Sequence, residues 1–358
     1  MKKILTIVIP TYNMEKYLDR CLSSLIISPE LMKSVEVLVV NDGSTDNSST
    51  IAHSYEDRYP LTFRVIDKTN GHYGSCVNRG VAEGKGKYIK VLDADDLFDT
   101  INFENFVRFL LDTDVDCIIT DFVQINEKLV PFKKVSWPFK PKIIFGIEEI
   151  TGKTIFMHAV CYRLENLRKV NYKQSEGISY SDVEFVYLPI AVSKRLIYYP
   201  TVVYKYLIGR QDQSVSSKVI ERNFGNIVKV SDSILDTYIM ASKMPELNKE
   251  FLYICLLQRM TGMYADYIIN YKSNACQAEV VNLDKKIENQ LPDVYFYLNS
   301  VVVPDYYFRY RYIYNWRKDY SKEKFAVYWV RFWVKAKRKV RVRKFVRDII
   351  RIVVGRPL

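Results

Sequence analysis

Histidine is nearly absent: three occur in 358 residues, His53, His72 and His158, and no two are close in sequence. That spacing argues against a zinc hydrolase, which needs paired ligands. The six cysteines (Cys21, Cys76, Cys117, Cys161, Cys255, Cys276) contain no CxxC pair. They read as buried thiols in a reducing compartment, not as a disulfide framework or zinc cage. GxGxxG is missing, and Gly80, Gly84 and Gly86 lack P-loop spacing. A dinucleotide or P-loop phosphate site therefore has no support. No stretch of 18 apolar residues occurs, so no transmembrane helix is expected. Met1-Lys2-Lys3 followed by Ile4 to Ile9 has the charge of a signal-peptide start. The apolar run is too short, however, and no small-residue cleavage site follows it. Repeats and low-complexity linkers are also missing.

What is present fills a core. The chain is 48% hydrophobic and 14% aromatic, with 28 tyrosines that suit a partly polar interior or an interfacial surface. The net charge of +12 is unevenly placed. Residues 309–358 hold 17 Lys/Arg against 3 Asp/Glu, leaving 36 against 38 for the rest. The body is nearly neutral and the basic character belongs to a tail.

Short β-branched runs alternate with helical patterns through the first half. Ile4 to Ile9, Val35 to Val40, Phe63 to Ile66, Tyr88 to Leu92 and Cys117 to Phe122 read as buried strands. Pro10 is expected to end the first. Glu15 to Ile27, a segment after Asp46 or Ser44, Val77 to Glu83, Phe103 to Leu111 and Ser181 to Ala191 read as helices. Residues 126–150 read as loops and short strands, and Leu196 to Tyr206 as a strand pair or a bend. From about Val219 to Ser300 the period is helical, with Tyr253, Leu256, Leu257, Met260, Tyr264 and Tyr267 on one face. The alternation predicts an α/β fold, a mostly parallel sheet with helices on both faces, plus a C-terminal helical region. Ligands in such sheets bind beyond the carboxyl ends of the strands.

Three polar motifs stand at those ends: Pro10-Thr11-Tyr12-Asn13, Asn41-Asp42-Gly43-Ser44 and Asp93-Ala94-Asp95-Asp96. In an extended chain Asp93 and Asp95 point the same way. Two carboxylates so close stay ionised cheaply only with a cation or donors between them. The acidic motif is thus a candidate seat for a hard divalent ion, and through it for a phosphate-bearing substrate.

These blocks, in this order and spacing, resemble family 2 glycosyltransferases of the GT-A fold, a Rossmann-like architecture. The resemblance is strong over the first hundred residues and weaker to about residue 216. It implies a nucleotide-diphosphate sugar donor, UDP-sugar favoured, a divalent metal (Mn2+ or Mg2+) and inversion at the anomeric carbon. Under it, Pro10, Thr11, Tyr12 and Asn13 border the nucleotide, with Tyr12 stacking on the base. Asp42 accepts the imino N–H of a uracil-type base. Asp93 and Ala94 lie at the ribose, and Asp95 matches the metal ligand. Taken singly, each has a plainer role: Tyr12 as packing, Asp42 as a turn brace, Asp93 or Asp96 as a helix cap.

The loop Asn70 to Gly80, with Asn78, resembles the family's loop before the acidic strand; Val77 stands where many members carry arginine, and Arg79 is a substitute for it or a solvated charge. Ile178 to Phe185 resembles the segment that carries the catalytic base. Asp182 is the candidate base and Glu184 the fallback; the plain alternative is a helix-start acid. Tyr204 to Ser216 resembles the closing loop, with Arg210, then Lys205, as the cation for the diphosphate.

Phe325 to Val354 places aromatic and aliphatic residues at helical spacing between nine basic ones from Arg331 to Arg347. That pattern suits an anionic membrane surface, where each cation is worth about 1 kcal/mol. Core packing and nucleic-acid binding are the competing readings; a nearly neutral body without a nucleic-acid fold favours membrane and no nucleic acid.

The expected organisation is a catalytic domain over 1–216, a helical accessory region over 217–305 and a basic tail over 306–358. The expected function is metal-dependent inverting transfer of a sugar to a lipid-linked or growing glycan acceptor in surface polysaccharide synthesis. The setting implied is cytoplasmic, peripheral on the inner face of the cell membrane. Competing functions are a sugar-nucleotide nucleotidyltransferase and a non-catalytic sugar-nucleotide-binding or membrane-tethering protein. The former lacks its basic Gly-rich activation loop.

Overall fold

The computed structural model of the chain describes residues 2–210, 213, 216–241, 248–270, 276–302 and 310–320. They fall in two compact units, 1–256 and 257–358. The sequence-based boundary at 216 is earlier than this division.

The first unit opens with β1 (Leu5–Thr11), α1 (Glu15–Ser23), α2 (Pro29–Met32), β2 (Val35–Asn41), α3 (Ser48–Arg58), β3 (Phe63–Asp67), α4 (His72–Glu83) and β4 (Tyr88–Val91). It continues with β5 (Leu97–Phe98), α5 (Thr100–Leu111), β6 (Cys117–Ile125), β7 (Pro131–Val135), β8 (Ile144–Phe145), β9 (Val160–Arg163), α6 (Leu164–Lys169), α7 (Glu184–Ala191) and β10 (Leu196–Leu207). α8 (Ser217–Arg222), α9 (Phe224–Ala241) and α10 (Lys249–Ala265) follow, the unit boundary falling inside α10.

Among the described residues the strands form one ten-stranded sheet whose main path is β3-β2-β1-β4-β9-β6-β10-β5, with β7 on β6 and β8 on β10. The pairings β3–β2, β2–β1, β1–β4 and β6–β10 are parallel. β9 runs antiparallel to both β4 and β6, and β5, β7 and β8 run antiparallel to their partners. The sheet is therefore mixed, with β3, β2, β1, β4, β6 and β10 sharing one direction. Periodicity could not reveal this, because it reports burial and not strand direction.

Every residue of β2 is buried, as continuous Val/Leu runs require. β1 continues through Pro10, against expectation. The reason lies in the ladder. Val8 O accepts from Leu92 N on the β4 side, and alternate residues face the same way. Pro10 therefore turns its nitrogen toward β4, whose pairing with β1 ends at Val91, so no ladder bond is lost. Leu196 to Leu207 is one strand, not a pair. Its register against β6 shifts between Tyr199 and Tyr204, around Pro200.

α4 starts at His72, five residues before the expected start. It lies close against β1: a Cβ on Gly80 would collide with the Val8 side chain. The second unit contains the rest of α10, a π-turn Asp266–Asn270, α11 (Gln277–Gln290), α12 (Pro292–Ser300) and α13 (Tyr312–Arg317). Leu256, Met260, Tyr264 and Tyr267 of the predicted face are buried, whereas Tyr253 and Leu257 are half-buried. The aromatic and basic stripe of the tail lies outside the described residues. No described helix is long and apolar enough to cross a membrane.

Candidate active site

The three polar motifs meet at the carboxyl ends of β1, β2 and β4, where a cavity of about 490 Å³ opens. Pro10, Thr11, Tyr12, Asp42, Asp93, Ala94, Asp95, Asp182 and Arg210 all line it. Of the residues expected to border the nucleotide, Asn13 and Asn78 do not. Asn13 has a left-handed backbone (φ 52°), and its Oδ1 accepts from Thr45 N at 2.8 Å. It ties the β1–α1 turn to the β2–α3 turn. Asn78 donates to Gln174 O (2.9 Å) and Glu176 Oε1 (2.8 Å) and accepts from Gln174 N (2.8 Å). Its amide is used to pin segment 174–176 and stands outside the cavity lining. Arg79 is ion-paired with Glu83, and Lys205 with Asp99 at 2.8 Å; neither lines the cavity.

Asp42 hangs from the end of β2, its N–H bonded to Thr11 O at 2.8 Å. Its Oδ1 takes Lys68 Nζ at 2.5 Å and Gly71 N at 2.9 Å. Oδ2 has no hydrogen bond among the described residues. Tyr12 is 47% exposed at the rim, the posture of a ring with a free face. Asp46 serves two helices: it accepts from Ser48 N at the start of α3 and from Glu15 N at the start of α1, each at 3.0 Å.

The acidic motif carries three carboxylates with three environments. Asp96 is fully buried and used: Oδ2 takes Tyr204 O–H and Oδ1 takes Leu207 N, both at 2.6 Å. It fastens β10 to the rim. Asp93 takes Tyr73 O–H on Oδ1 at 2.8 Å. Asp95 pairs with Arg210 at 2.9 Å. Burial pushes the carboxyls of Asp93 and Asp96 well above the usual range, and the neighbouring Asp95 charge adds to it. Burial raises Asp95 too, with Arg210 opposing. Buried carboxylates this short of cations are what a dication would relieve.

The donor set fits such an ion. Carboxylate oxygens suit Mg2+ and Mn2+. Ligand atoms of Asp93, Asp96 and His158 lie within 4.8 Å of one another. Asp96 already spends both oxygens on β10, so Asp93 is the carboxylate of this group with capacity left; Asp95 stands outside the group, with Oδ2 paired to Arg210.

Arg210 lies over the Tyr17 ring at 5.1 Å, and Arg20 lies over the same ring at 5.4 Å while donating to Asp95 O at 3.1 Å. Two guanidiniums thus flank one aromatic beside the acidic rim. Gln211, Asp212, Ser214 and Val215 of the closing-loop segment lie outside the described residues.

Asp182 sits in a 3-10 turn, Ser181–Val183, entered through Tyr180 in the left-handed region (φ 66°). Its charge reaches Asp93 across the cavity. Glu184, the fallback base, is outside the lining: its carboxylate takes Ser175 N and Ser175 O–H, both at 2.7 Å.

Sequence reasoning missed His158, Tyr73, Lys68 and Tyr206. His158 stacks on Tyr206 (4.2 Å between centroids), and burial drops it to about 3, so the imidazole is neutral. Its segment is held by Lys90, a fully buried lysine of β4 that donates to His158 O (2.7 Å) and Val160 O (3.1 Å). A lysine inside an apolar strand was the available signal.

The fold and rim define an α/β domain with an acidic cleft at the carboxyl ends of its parallel strands. Residues 6–170 match Glycosyl transferase family 2, and this segment belongs to that family. An uncharacterized glycosyltransferase of Mycoplasma pneumoniae, the MG025 homolog, is 42% identical over 99 residues, 27% of this chain and 33% of the relative. The minor teichoic acid biosynthesis protein GgaB of Bacillus subtilis is 35% identical over 104 residues, 29% of this chain and 12% of the relative. The chain thus spans a third or less of the length of these two relatives. Among solved structures, S. aureus TarS 1–349 in complex with UDP-GlcNAc superposes with a TM-score of 0.58 at 20% identity, covering 81% of this chain and 80% of that one. The fold is of the GT-A type.

Proposed function

We propose that the protein is a sugar-nucleotide glycosyltransferase of surface polysaccharide synthesis, metal-dependent and inverting, with a UDP-sugar as the favoured donor. The observation that carries this reading is the convergence of Asp42, Asp93, Asp95, Arg210 and Asp182 on one cavity. Tyr12 and the unused Oδ2 of Asp42 suit a base, and Asp93 suits a ribose. Asp95 and Asp93 would hold Mn2+ or Mg2+, which supplies charge neutralisation for a diphosphate.

In the proposed step an acceptor hydroxyl attacks the anomeric carbon from the face opposite the diphosphate. The Asp182 carboxylate takes the hydroxyl proton as the new C–O bond forms. The bond from the anomeric carbon to phosphate oxygen breaks, and its electron pair leaves on the diphosphate, whose charge Arg210 meets. The acceptor is a lipid-linked or growing glycan.

Asp182→Asn tests the base. Transfer falls about a thousandfold while UDP affinity stays within a few-fold of wild type. Unchanged transfer removes Asp182 as base. Unchanged UDP binding with no transfer in the wild type favours the non-catalytic alternative. Peripheral attachment through the basic tail, on the cytoplasmic face, is proposed from its composition. Sedimentation with anionic vesicles reads it, and undiminished binding after removal of 309–358 overturns it.

A further inference from the structure

A second cavity, of about 310 Å³, shares His158 and Tyr206 with the donor cavity. Its floor follows from strand register. Tyr206 of β10 is paired with Gln124 of β6, and Gln124 with Lys133 of β7. Cross-strand partners project on the same face, so the three side chains form a row running outward from the donor cavity. Two strand spacings put Lys133 roughly 10 Å from Tyr206.

The two lysines of β7 differ. Lys134 is ion-paired at 2.8 Å with Asp121, a fully buried carboxylate that also takes Tyr198 O–H. Lys133, on the opposite face of the strand, is exposed and has no ion-pair partner among the described residues. Phe156 stands 41% exposed at the same cavity. At the wall between the cavities the Nδ1 of His158 is buried with no hydrogen-bond partner among the described residues.

We propose that this second cavity is the acceptor subsite, and that it selects an acceptor sugar bearing a negative charge, a phosphate or a carboxylate. The inference rests on the glycosyltransferase reading above. Phe156 and Tyr206 offer apolar ring faces to a sugar, Gln124 offers its amide, and Lys133 meets the anion. The spacing from Tyr206 assigns that anion to the acceptor, because the donor's diphosphate belongs with Arg210 and the acidic rim. A row on three hydrogen-bonded strands is also rigid, as a selective subsite requires.

The test uses the full chain with UDP and Mn2+ filling the donor cavity, titrated with glucose, glucose 6-phosphate, glucuronate and inorganic phosphate by ligand-observed NMR. At least one anionic sugar binds about tenfold more tightly than glucose and than inorganic phosphate, and Lys133→Glu and Lys133→Gln remove that preference. The phosphate and carboxylate arms tell the two anion types apart. Equal affinity for glucose and both anionic sugars overturns the proposal, as does a preference that survives both variants. Inorganic phosphate binding as tightly as the anionic sugars also overturns it, because the sugar platform then does nothing. Failure of UDP to bind the wild type sinks the donor reading and this inference with it; failure of the preference with UDP bound sinks this inference alone.

Discussion

Two buried acidic sites, one in each compact unit, treat their charge in opposite ways. Asp284 of α11 is 1% exposed, and Arg317 of α13 meets it bidentately, Nε at 2.9 and 3.1 Å and a terminal nitrogen at 2.6 Å. Tyr264 donates to the same carboxylate. The other arm of Arg317 donates to Tyr295 O (2.9 Å) and Asn299 Oδ1 (2.8 Å), with the guanidinium 3.6 Å from the Tyr295 ring centroid. Every charge there has a partner. The rim in the first unit gathers Asp93, Asp95 and Asp96, and among the described residues one arginine side chain, Arg210, is paired to them. Compensated burial fixes helices together; uncompensated burial stores a demand for a cation. The first arrangement is structural and the second is the functional candidate.

The sharpest way to break this contrast is Arg317→Met. It strands a buried carboxylate, and such losses cost about 4 kcal/mol. Denaturant unfolding of the full chain should show a drop of that size in the transition that includes α11 and α13. A drop below about 1 kcal/mol would mean that Asp284 is no more compensated in the folded state than the rim is, and the comparison collapses.

The rim was legible in the sequence because its residues sit on local motifs: β1, β2 and β4 are apolar runs, and the acidic motif follows β4 directly. The Asp284–Arg317 pair was not, since 33 residues separate its members and charge alone does not say which arginine folds onto which acid. His158 was missed for the same reason: topology brings it to Asp93 through β9, a four-residue strand whose direction no pattern reveals. Asn78 shows the opposite case. Its loop had a family shape, yet its amide faces segment 174–176, a contact 96 residues away. Local sequence reports which residues end a strand; it does not report what the chain later lays across them.

Lys90 sharpens the contrast from the cationic side, with a somewhat smaller effect. Burial lowers it from 10.5 to about 8, and the thiols of Cys161 and Cys117, the His158 imidazole and the Tyr204 ring face it. An unfolded chain keeps the lysine proton up to its ordinary value. Between about pH 8 and 10.5 the unfolded state therefore binds more protons, and stability from this group rises with pH. Below about 8 both states are charged and the full penalty stays, roughly 3 kcal/mol. Both cysteines are pushed up by burial and remain thiols through that window. Lys90→Met should flatten this part of the pH–stability curve relative to wild type. Parallel curves for the two proteins would show that Lys90 is not the desolvated cation its burial implies.

Asp95→Asn has the smallest effect on the bare protein and the most informative sign. The Asp95 carboxylate is buried and its charge raises both Asp93 and Asp96, so a neutral isostere relieves repulsion. Arg210 then loses its partner at 2.9 Å and takes back part of the gain. A net rise on the order of 1 kcal/mol remains in the metal-free chain. Stabilisation by a ligand follows its concentration over its dissociation constant, about 2.7 kcal/mol at a hundredfold excess. Wild type should gain on that scale from Mn2+ with UDP, and Asp95→Asn should gain little. Thermal unfolding with and without Mn2+ and UDP reads both signs at once. The Arg317 variant loses stability in either condition, because its charge already had a partner. Should Asp95→Asn instead destabilise the bare chain and keep its response to Mn2+ and UDP, the aspartate is a structural anchor for Arg210, and the cation demand of the rim lies with Asp93 alone.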